Sequence, residues 1–355
     1  MNGNKTALLI LFGGVSSEHE ISCLSAASVL NNINREKYDI YTIGITKDGR
    51  WMLTEASPQK IAKGAWEKKA GNKEAVICPD RAVHGIRLHK GKEIHIDCVF
   101  PVLHGKNGED GTMQGLLEIA GLPYVGSGTL ASSCAMNKAV TKALVDKTGV
   151  RQAKCFVTNR YDFSSDPTGQ LAAIEKAFAG EYPLFVKPAN AGSSVGVTKV
   201  NGQMELFEGI KIAAEQDHKI LIEETITGRE MEVAVLGNRR PKASPIGEIL
   251  AADDFYSYEA KYENEASKTE VVTDITEEKE AEMRDAAVTV YEAVGCRGFA
   301  RVDFFLSDDN EVVFNEINTI PGFTDISMYP QLWEAADVGF SELIDRLIEL
   351  AMEEI

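Results

Sequence analysis

Apolar runs that alternate with glycine-rich breaks predict an α/β fold at the start of the chain. Residues 7–12 are continuously apolar, as in a buried strand, and two glycines then break the run. Ser17 and Glu20 have the spacing of a capping box, which predicts a helix N-terminus at this point. Apolar positions continue at helical spacing at Ile21, Leu24, Ala27 and Leu30. A second strand run covers residues 39–45, so strands and a helix alternate, which favours a parallel sheet.

A third apolar run, residues 96–103, leads into a polar, glycine-rich loop at residues 104–111. Ligands bind beyond the carboxyl ends of the strands in open parallel sheets, so this loop is a candidate binding segment. We predict an N-terminal α/β domain over residues 1–126.

The middle of the chain predicts a second domain over residues 127–224. It contains a helical stretch at residues 134–147 and apolar strand runs at residues 182–187 and 219–223. The first of these strands leads into a glycine- and serine-rich loop at residues 188–196. Such a loop suits a flap whose backbone N–H groups bind phosphate, and an ordinary turn is the alternative.

The remaining residues, 225–355, predict a third domain. Residues 298–306 and 312–318 are apolar enough for strands, and the Asp and Asn residues between them are typical of a turn, which predicts an antiparallel hairpin. A polar insert at residues 251–270 contains several aromatic residues, which indicates a lid, with a packed surface loop as the alternative. The closing helix has apolar positions at Phe340, Leu343, Ile344, Leu347, Ile348 and Ala351.

Composition and charge exclude several classes of protein. The chain has 355 residues, of which 44% are hydrophobic and 26% charged, so we expect a soluble protein with more than one core. Its net charge of -17 excludes a general binder of nucleic acid or of anionic membranes, because basic residues are in the minority. Any anionic ligand must therefore be bound by a local group of cations or through a metal.

Cysteine spacing and the first residues bear on location. The six cysteines are widely spaced and form no C-x-x-C pair, which favours free thiols in a reducing cytoplasm over disulfides or zinc. The first apolar run is too short to cross a membrane and no cleavage-site pattern follows it, so we expect no targeting segment.

The predicted hairpin carries residues typical of a magnesium site. It combines two carboxylates, an amide and a guanidinium at Asp303, Glu316, Asn318 and Arg301. Strand alternation puts these side chains on one face if Leu306 pairs with Glu311, a register that also sets Asp303 opposite Phe314. Magnesium takes oxygen ligands and keeps water and substrate phosphates in its other positions. The pattern therefore predicts a magnesium site, with a solvated polar face as the alternative.

Other charged residues are candidates for nucleotide binding. Lys187 precedes the glycine-serine loop and Lys138 opens a helix, although each could be a plain surface lysine. Glu223 and Glu230 are spaced to hydrogen-bond an adenine amino group and ribose hydroxyls, with solvated glutamates as the alternative.

Three further residues, Glu18, His104 and Glu109, lie beside glycine-rich loops. His104 is a candidate for catalysis or ligand binding, and a structural histidine is the alternative.

Taken together, these segments closely resemble D-alanine:D-alanine ligases, which are members of the ATP-grasp superfamily. The resemblance runs from residue 7 to the closing helix. It is carried by residues 13–22, 104–111, 187–196, 258–262, 301–303 and 315–324. It implies an ATP-grasp fold of three domains, with nucleotide bound between the central and C-terminal domains.

The resemblance implies a two-step reaction that makes a peptidoglycan precursor. The carboxylate of one D-alanine attacks the γ-phosphate of ATP, and the amine of a second D-alanine then displaces phosphate from the acyl phosphate. Two Mg²⁺ ions, or Mn²⁺ in their place, would neutralise the phosphate charge. D-alanine and ATP are the expected partners, and a cytoplasmic homodimer is the expected form.

The resemblance also implies roles for individual residues. ATP would be bound by Lys138, Lys187, Ser194, Glu223, Glu230 and Lys261. The metal ions would be bound by Asp303, Glu316 and Asn318. The catalytic residues would be Glu18, Ser193, Tyr262, Arg301 and Gly322. The amino-acid substrates would contact His104, Glu109, Ser327 and Met328.

The catalytic group divides into two parts. Glu18 is expected to bind the ammonium of the first D-alanine, and Ser193 and Tyr262 would link it to the closed lid. The backbone N–H of Gly322 and the side chain of Arg301 would form the oxyanion site.

The choice of second substrate rests on two positions. Family members that use D-lactate carry histidine where this chain has Tyr262, and those that use D-serine carry arginine where it has Met328, so the chain favours D-alanine. Asp325 adds a negative charge near this subsite. The alternatives are a ligase that uses D-serine or D-lactate second, and a regulatory nucleotide-binding protein without turnover, for which damaged metal ligands are expected.

Overall fold

The N-terminal part of the chain forms a seven-stranded sheet. The structure is a computed structural model that describes residues 5–192, 194–250 and 268–353. The strands are β1 (Thr6–Gly13), β2 (Tyr38–Ile45), β3 (Trp51–Leu53), β4 (Lys73–Ile77), β5 (Gly85–Leu88), β6 (Glu93–His95) and β7 (Cys98–Val102), in the order β6-β5-β4-β3-β2-β1-β7. Strands β2, β1 and β7 are parallel, which confirms the predicted α/β layout, and the others pair antiparallel.

Three helices belong to this part: α1 (His19–Asn32), α2 (Pro58–Ala62) and α3 (Thr112–Ala120). The predicted capping box is wrong, because α1 begins at His19 and the residue in the N-cap position, Glu18, makes no side-chain cap bond. The turn is stabilised one step earlier, where the backbone N–H of Glu18 donates to the Ser16 hydroxyl at 3.1 Å.

The middle of the chain forms a four-stranded antiparallel sheet. Its strands are β8 (Cys155–Asn159), β9 (Leu184–Pro188), β10 (Thr198–Val200) and β11 (Lys219–Glu224), in the order β10-β9-β11-β8. The helices are α4 (Thr129–Met136), α5 (Lys138–Val145), α6 (Arg160–Ser165), α7 (Pro167–Ala177) and α8 (Gln203–Gln216). The single helix predicted over residues 134–147 is wrong. The Asn137 side chain accepts a hydrogen bond from the Val140 N–H, so Asn137 ends one helix and caps the next.

The third sheet has five antiparallel strands. They are β12 (Gly228–Leu236), β13 (Lys242–Leu250), β14 (Lys268–Val271), β15 (Phe299–Ser307) and β16 (Val312–Asn318), in the order β14-β13-β12-β15-β16. Its helices are α9 (Glu277–Val294), α10 (Met328–Glu334) and α11 (Phe340–Met352). The predicted lid at residues 251–270 lies outside the described residues, except for its last three, which begin β14.

The predicted hairpin is confirmed, but its register is wrong. Leu306 pairs with Val312 rather than with Glu311, so the strands are shifted by one residue. Side chains alternate along a strand, and that shift alone would have moved Glu316 to the opposite face.

A β-bulge restores the polar face. Asn315 is the extra residue in β16, and beyond it Asp303 lies opposite Glu316 rather than Phe314. Phe314 is thereby free to enter an apolar core, while Glu316 lies on the same face as Asp303.

The first and third sheets share one hydrophobic cluster. Leu8 and Phe12 of β1 lie in the same buried cluster as Leu343 and Leu347 of α11, and α11 contacts both α1 and β7. Each sheet lies within one of the three predicted segments, and the boundaries at residues 126 and 224 stay predictions.

Two further expectations concern the cysteines and membranes. All six cysteines are free, as predicted. Among the helices that the structure describes, none combines the length and apolar character that a membrane crossing requires.

Candidate active site

The polar face of the β15–β16 hairpin brings three of the predicted site residues together. Arg301 donates two hydrogen bonds to the Asp303 carboxylate, at 2.7 and 2.8 Å, and the Asn318 amide donates to Asp303 Oδ2 at 2.9 Å. Glu316 lies directly across the pair of strands from Asp303. The sequence prediction that these residues share a face is therefore confirmed, although the register that produces it is different.

A neighbouring strand adds a carboxylate that the sequence prediction missed. Glu232 of β12 lies opposite Asp303, and its Oε1 atom is 3.1 Å from Arg301 Nε. Burial would lower the pKa of Arg301, but the charges of Asp303 and Glu232 raise it, so the guanidinium stays charged. The predicted ribose ligand Glu230 precedes Glu232 by two residues and lies opposite Phe305. Residues two apart in a strand lie on one face, so this spacing was the sequence signal that could have identified Glu232.

The donor set fits hard divalent cations. Asp303 and Glu316 offer carboxylate oxygens and Asn318 an amide oxygen, which is the oxygen-rich type of set that Mg²⁺ uses. In the part of the chain that the structure covers, no group of three or more His, Cys, Asp and Glu side chains is placed for a metal. A magnesium site does not need three such side chains. Two carboxylates and an amide can suffice, because water and phosphate oxygens complete the coordination shell of the ion.

Lys138 connects this face to the glycine-serine loop. Its Nζ atom is 3.4 Å from Glu316 Oε2 and donates to the Ala191 carbonyl at 2.8 Å. The backbone N–H of Lys138 donates to the Ala189 carbonyl at 3.0 Å. The N-terminus of α5 is thus attached to the base of the predicted phosphate flap.

The same loop approaches the first predicted amino-acid subsite. A β-carbon added to Gly192 would lie 3.5 Å from Glu18 Oε2, and one added to Gly105 would collide with that carboxylate. Ser194, the predicted ATP ligand of the loop, has a φ of 60°. Ser193, Lys261 and Tyr262, which the sequence analysis assigned to the flap and lid, lie outside the described residues.

Three buried charged side chains form a group that includes Lys187, the lysine just before the predicted flap. Glu223 of β11 is 2.7 Å from Lys187 Nζ through Oε2 and 2.9 Å from Lys142 Nζ through Oε1. Burial would raise the pKa of Glu223, but the two lysines lower it to about 2. Lys187 is also near enough to Glu316 for that carboxylate to favour its charged form. Lys142 was not predicted, although it follows Lys138 by four residues and so lies on the same helical face.

His104 ties the first sheet to the loop that carries Gly322. Its Nδ1 atom is 3.1 Å from the Ile320 carbonyl and its Nε2 atom is 3.1 Å from Ser25 Oγ. The carbonyl can only accept, so Nδ1 carries a proton. Burial alone would lower the pKa of His104, but Glu109, whose Oε1 is 3.7 Å from Nδ1, raises it. Ser25 was not predicted; no signal beyond its place on the buried face of α1 marks it.

The loop itself is anchored by aromatic packing. The Phe323 ring packs edge-on against Phe100 at 5.9 Å and against Phe299 at 6.1 Å between ring centroids. The backbone N–H of Phe323 donates to Ser25 Oγ at 3.4 Å. These contacts fix the residue next to Gly322, whose N–H is the predicted oxyanion donor.

The predicted second subsite lies just beyond this loop. The Ser327 hydroxyl accepts from the Thr324 N–H at 3.0 Å and lies 3.0 Å from the position of a β-carbon at Gly322. Met328 is buried, and its thioether packs over Gly247 of β13. Asp325 accepts a hydrogen bond from Asn32 at 3.3 Å.

Two models of known protein families match the chain, one in its N-terminal part and one in its C-terminal part. The model for the N-terminus of D-ala D-ala ligase matches residues 7–127, and the model for the C-terminus matches residues 144–349. The chain belongs to the D-alanine–D-alanine ligase family. A relative in that family, D-alanine–D-alanine ligase of Acetivibrio thermocellus, is 47% identical over 366 residues, which cover 99% of this chain and 97% of that protein.

Solved structures agree with the family and with the fold. The VanG D-Ala:D-Ser ligase from Enterococcus faecalis is 39% identical with a TM-score of 0.88, over 98% of this chain and 100% of that one. The D-alanine-D-alanine ligase from Coxiella burnetii is 35% identical with a TM-score of 0.86, over 98% and 95%. The fold is the ATP-grasp fold of the ligase family, as the sequence predicted.

Proposed function

We propose that this protein joins two D-alanine molecules into D-alanyl-D-alanine, a peptidoglycan precursor, with ATP as co-substrate and an acyl phosphate as intermediate. The observation that carries the proposal is the face holding Asp303, Glu316 and Asn318 beside Lys138, in a chain of the ligase family. An oxygen-rich face next to a lysine and a phosphate flap suits phosphoryl transfer.

ATP would lie between the flap and the β15–β16 face. Lys187 and Lys138 would bind its phosphates, because both are cations close to Glu316. Glu223 would accept from the adenine amino group and Glu230 from the ribose hydroxyls. Ser194 in the flap and Lys261 in the predicted lid complete the proposed nucleotide contacts.

Asp303, Glu316 and Asn318 would hold two Mg²⁺ ions, or Mn²⁺ in their place. Such ions, when bound, neutralise charge on the β- and γ-phosphate oxygens. Arg301 would keep its positive charge during the reaction, because Asp303 and Glu232 stabilise it. Its guanidinium and the Gly322 N–H would then stabilise the oxyanion of the tetrahedral intermediate.

The two amino acids would bind on either side of that oxyanion site. Glu18, beside Gly105 and the flap, would hold the ammonium of the first D-alanine, with Ser193 and Tyr262 closing over it. His104 and Glu109 would orient this subsite. Ser327 would bind the carboxylate of the second D-alanine, and Met328 would shape the pocket for its methyl group.

The domain limits, assembly and location belong to the same proposal. Residues 1–126, 127–224 and 225–355 would form three domains that enclose the site. The active form would be a homodimer in the cytoplasm, where ATP is supplied. Gel filtration with light scattering should give twice the mass of 38.8 kDa for the single chain.

The decisive experiment measures phosphate release from ATP and magnesium with one amino acid or hydroxy acid at a time, and identifies each product by mass. We expect release with D-alanine and a product of the mass of D-alanyl-D-alanine, with none from L-alanine. D-alanine mixed with D-serine or D-lactate tests the second subsite. A mixed product formed in preference to the dipeptide would replace the D-alanine assignment, and no release with any substrate would sink the proposed function.

The metal assignment is tested by Glu316→Gln. Removing this charge should lower kcat by about a hundredfold or more, because metal-assisted charge stabilisation is worth several kcal/mol. Glu311→Gln, on the exposed turn of the same hairpin, is the matched control and should retain activity. Near-normal turnover in Glu316→Gln would remove Glu316 from the metal site.

A further inference from the structure

We propose that Lys142 is a positioning residue of the nucleotide site, which neutralises Glu223 so that the charge of Lys187 stays available to the phosphates of ATP. This inference rests on the proposed function, because it takes a polyphosphate as the anion that Lys187 meets. It concerns a lysine that none of the nucleotide assignments above includes.

The two lysines divide the Glu223 carboxylate between them. Lys142 Nζ lies 2.9 Å from Oε1, and Lys187 Nζ lies 2.7 Å from Oε2. Lys142 also donates to the Ala153 carbonyl at 3.4 Å, so its ammonium is directed into the protein. Each lysine thus meets one carboxylate oxygen, so Lys187 shares the negative charge of Glu223 with Lys142.

Solvent exposure distinguishes the roles of the two lysines. The side chains of Lys142 and Glu223 are 9% and 5% exposed, whereas that of Lys187 is 16% exposed and is influenced by Glu316 across the site. Lys187 therefore faces the polar site and Lys142 the interior.

The charge count shows why a second lysine matters. One carboxylate and one lysine would form a buried neutral pair, which attracts an anion weakly. Two lysines around Glu223 leave a net charge of about +1, and in a partly buried setting that charge is weakly screened. ATP would meet this net positive charge at Lys187, because Lys187 is the member of the group that faces the site.

Helix α5 holds Lys142 in position beside Glu223. Lys138 and Lys142 lie four residues apart on one face, so that the first reaches Glu316 and the second reaches Glu223. The Lys142 carbonyl accepts from the Gln152 side chain at 2.9 Å, which attaches the helix to the segment before β8.

The test compares ATP binding in Lys142→Met, Lys142→Arg and the double variant Lys142→Met/Glu223→Gln. Lys142→Met should bind ATP about tenfold to a hundredfold more weakly, the range that loss of one charge-assisted interaction gives. Lys142→Arg should bind normally. The double variant restores a net charge of +1, and its glutamine keeps a carbonyl oxygen that can accept from the adenine amino group, so it should recover most of the lost affinity. Lys147→Met, which removes an exposed lysine just beyond α5, is the control and should change nothing.

Adenosine is the probe that separates this role from simple structural support. It lacks phosphates, so its affinity should be unchanged in Lys142→Met, whereas a distorted site would lose both ligands. Unchanged ATP binding in Lys142→Met, or equal loss of adenosine binding, overturns the proposal. A double variant that binds ATP as weakly as Lys142→Met also overturns it.

If Lys142→Met does not fold, the other two variants decide. Both keep the net charge of the group, so weak ATP binding by either contradicts the proposal. If the wild-type protein releases phosphate with D-alanine but these variants do not bind ATP as predicted, only the role of Lys142 is wrong. If the wild-type protein binds no ATP, the proposed function itself is wrong.

Discussion

At the scale of single residues, the site depends on buried charges that stabilise one another. Arg301 remains charged between Asp303 and Glu232, and Glu223 remains ionised between two lysines. Buried ions are costly unless they are paired, so each of these groups is held in one protonation state. His104 is the exception, since its ordinary pKa lies close to neutral pH, and burial lowers this pKa while the neighbouring groups raise it.

We expect His104 to titrate above its ordinary pKa of 6.5 in the folded protein. Burial opposes the charged imidazolium, but Glu109, Glu18 and the Ile320 carbonyl together favour it more strongly. Protonated His104 therefore stabilises the fold below about pH 6.5, and that contribution is lost as the pH rises through the raised pKa. Imidazole nitrogen NMR measures the midpoint directly.

Glu109→Gln should lower the His104 midpoint, because burial is then opposed only by the smaller contributions of Glu18 and the Ile320 carbonyl. An unchanged His104 midpoint in Glu109→Gln would show that Glu109 is not the cause of the shift.

At the scale of elements, one inserted residue decides where the site forms. The bulge at Asn315 lets β16 send Phe314 into the core and Glu316 to the polar face. A second device lies on the same face of the sheet, where β13 has Gly247 opposite Glu232 and the α10 residue Met328 packs over this glycine.

Gly247→Ala should disturb both stability and substrate choice. The added methyl group would collide with the Met328 thioether and lie 3.1 Å from Leu332, so we expect a loss of about 1–3 kcal/mol in the free energy of unfolding. The ratio of D-serine to D-alanine use should also change, since Met328 shapes the proposed second subsite. Denaturant unfolding and product analysis measure the two effects.

Gly115→Ala is the matched control for this substitution. Gly115 lies inside α3 with its nearest neighbour 3.8 Å from an added β-carbon, so alanine should stabilise by about 0.5–1 kcal/mol. A Gly247→Ala protein as stable as wild type would show that Met328 can move freely.

The elements also show what sequence can and cannot predict. The strand runs, the hairpin and the shared polar face follow from local patterns, and they were predicted. The register was not, because a bulge depends on which partner each side chain meets across the strands. Lys142 and Ser25 were missed for a similar reason, since their roles come from contacts with residues distant in the chain.

At the scale of the whole molecule, the first and third sheets are not independent. The cluster that contains Leu8 and Phe12 also contains the apolar side of α11, and Lys37 forms an ion pair with Asp345 at 2.7 Å. The face of the first sheet that packs on α1 is therefore completed by residues from the third predicted segment.

Leu347→Ala should destabilise both parts together. Leu347 is fully buried in this cluster, so we expect a loss of about 2–5 kcal/mol, with the first and third sheets still unfolding in one transition. Leu130→Ala makes the same change at a site that is 77% exposed and should cost less than about 0.5 kcal/mol. Hydrogen exchange measured by mass spectrometry can follow each sheet separately. Protection lost in α11 but kept in β1 and β7 would contradict the coupling.

The position of α11 against β1 has a consequence for how the chain is made. A ribosome completes β7 about 240 residues before it reaches α11, which at about 5–20 residues per second is a delay of roughly 10–50 s. During that interval the newly made sheet exposes an apolar surface that only the end of translation can cover. Nascent chains stalled before residue 340 should therefore bind chaperones that recognise apolar surface, and release of the full chain should free them.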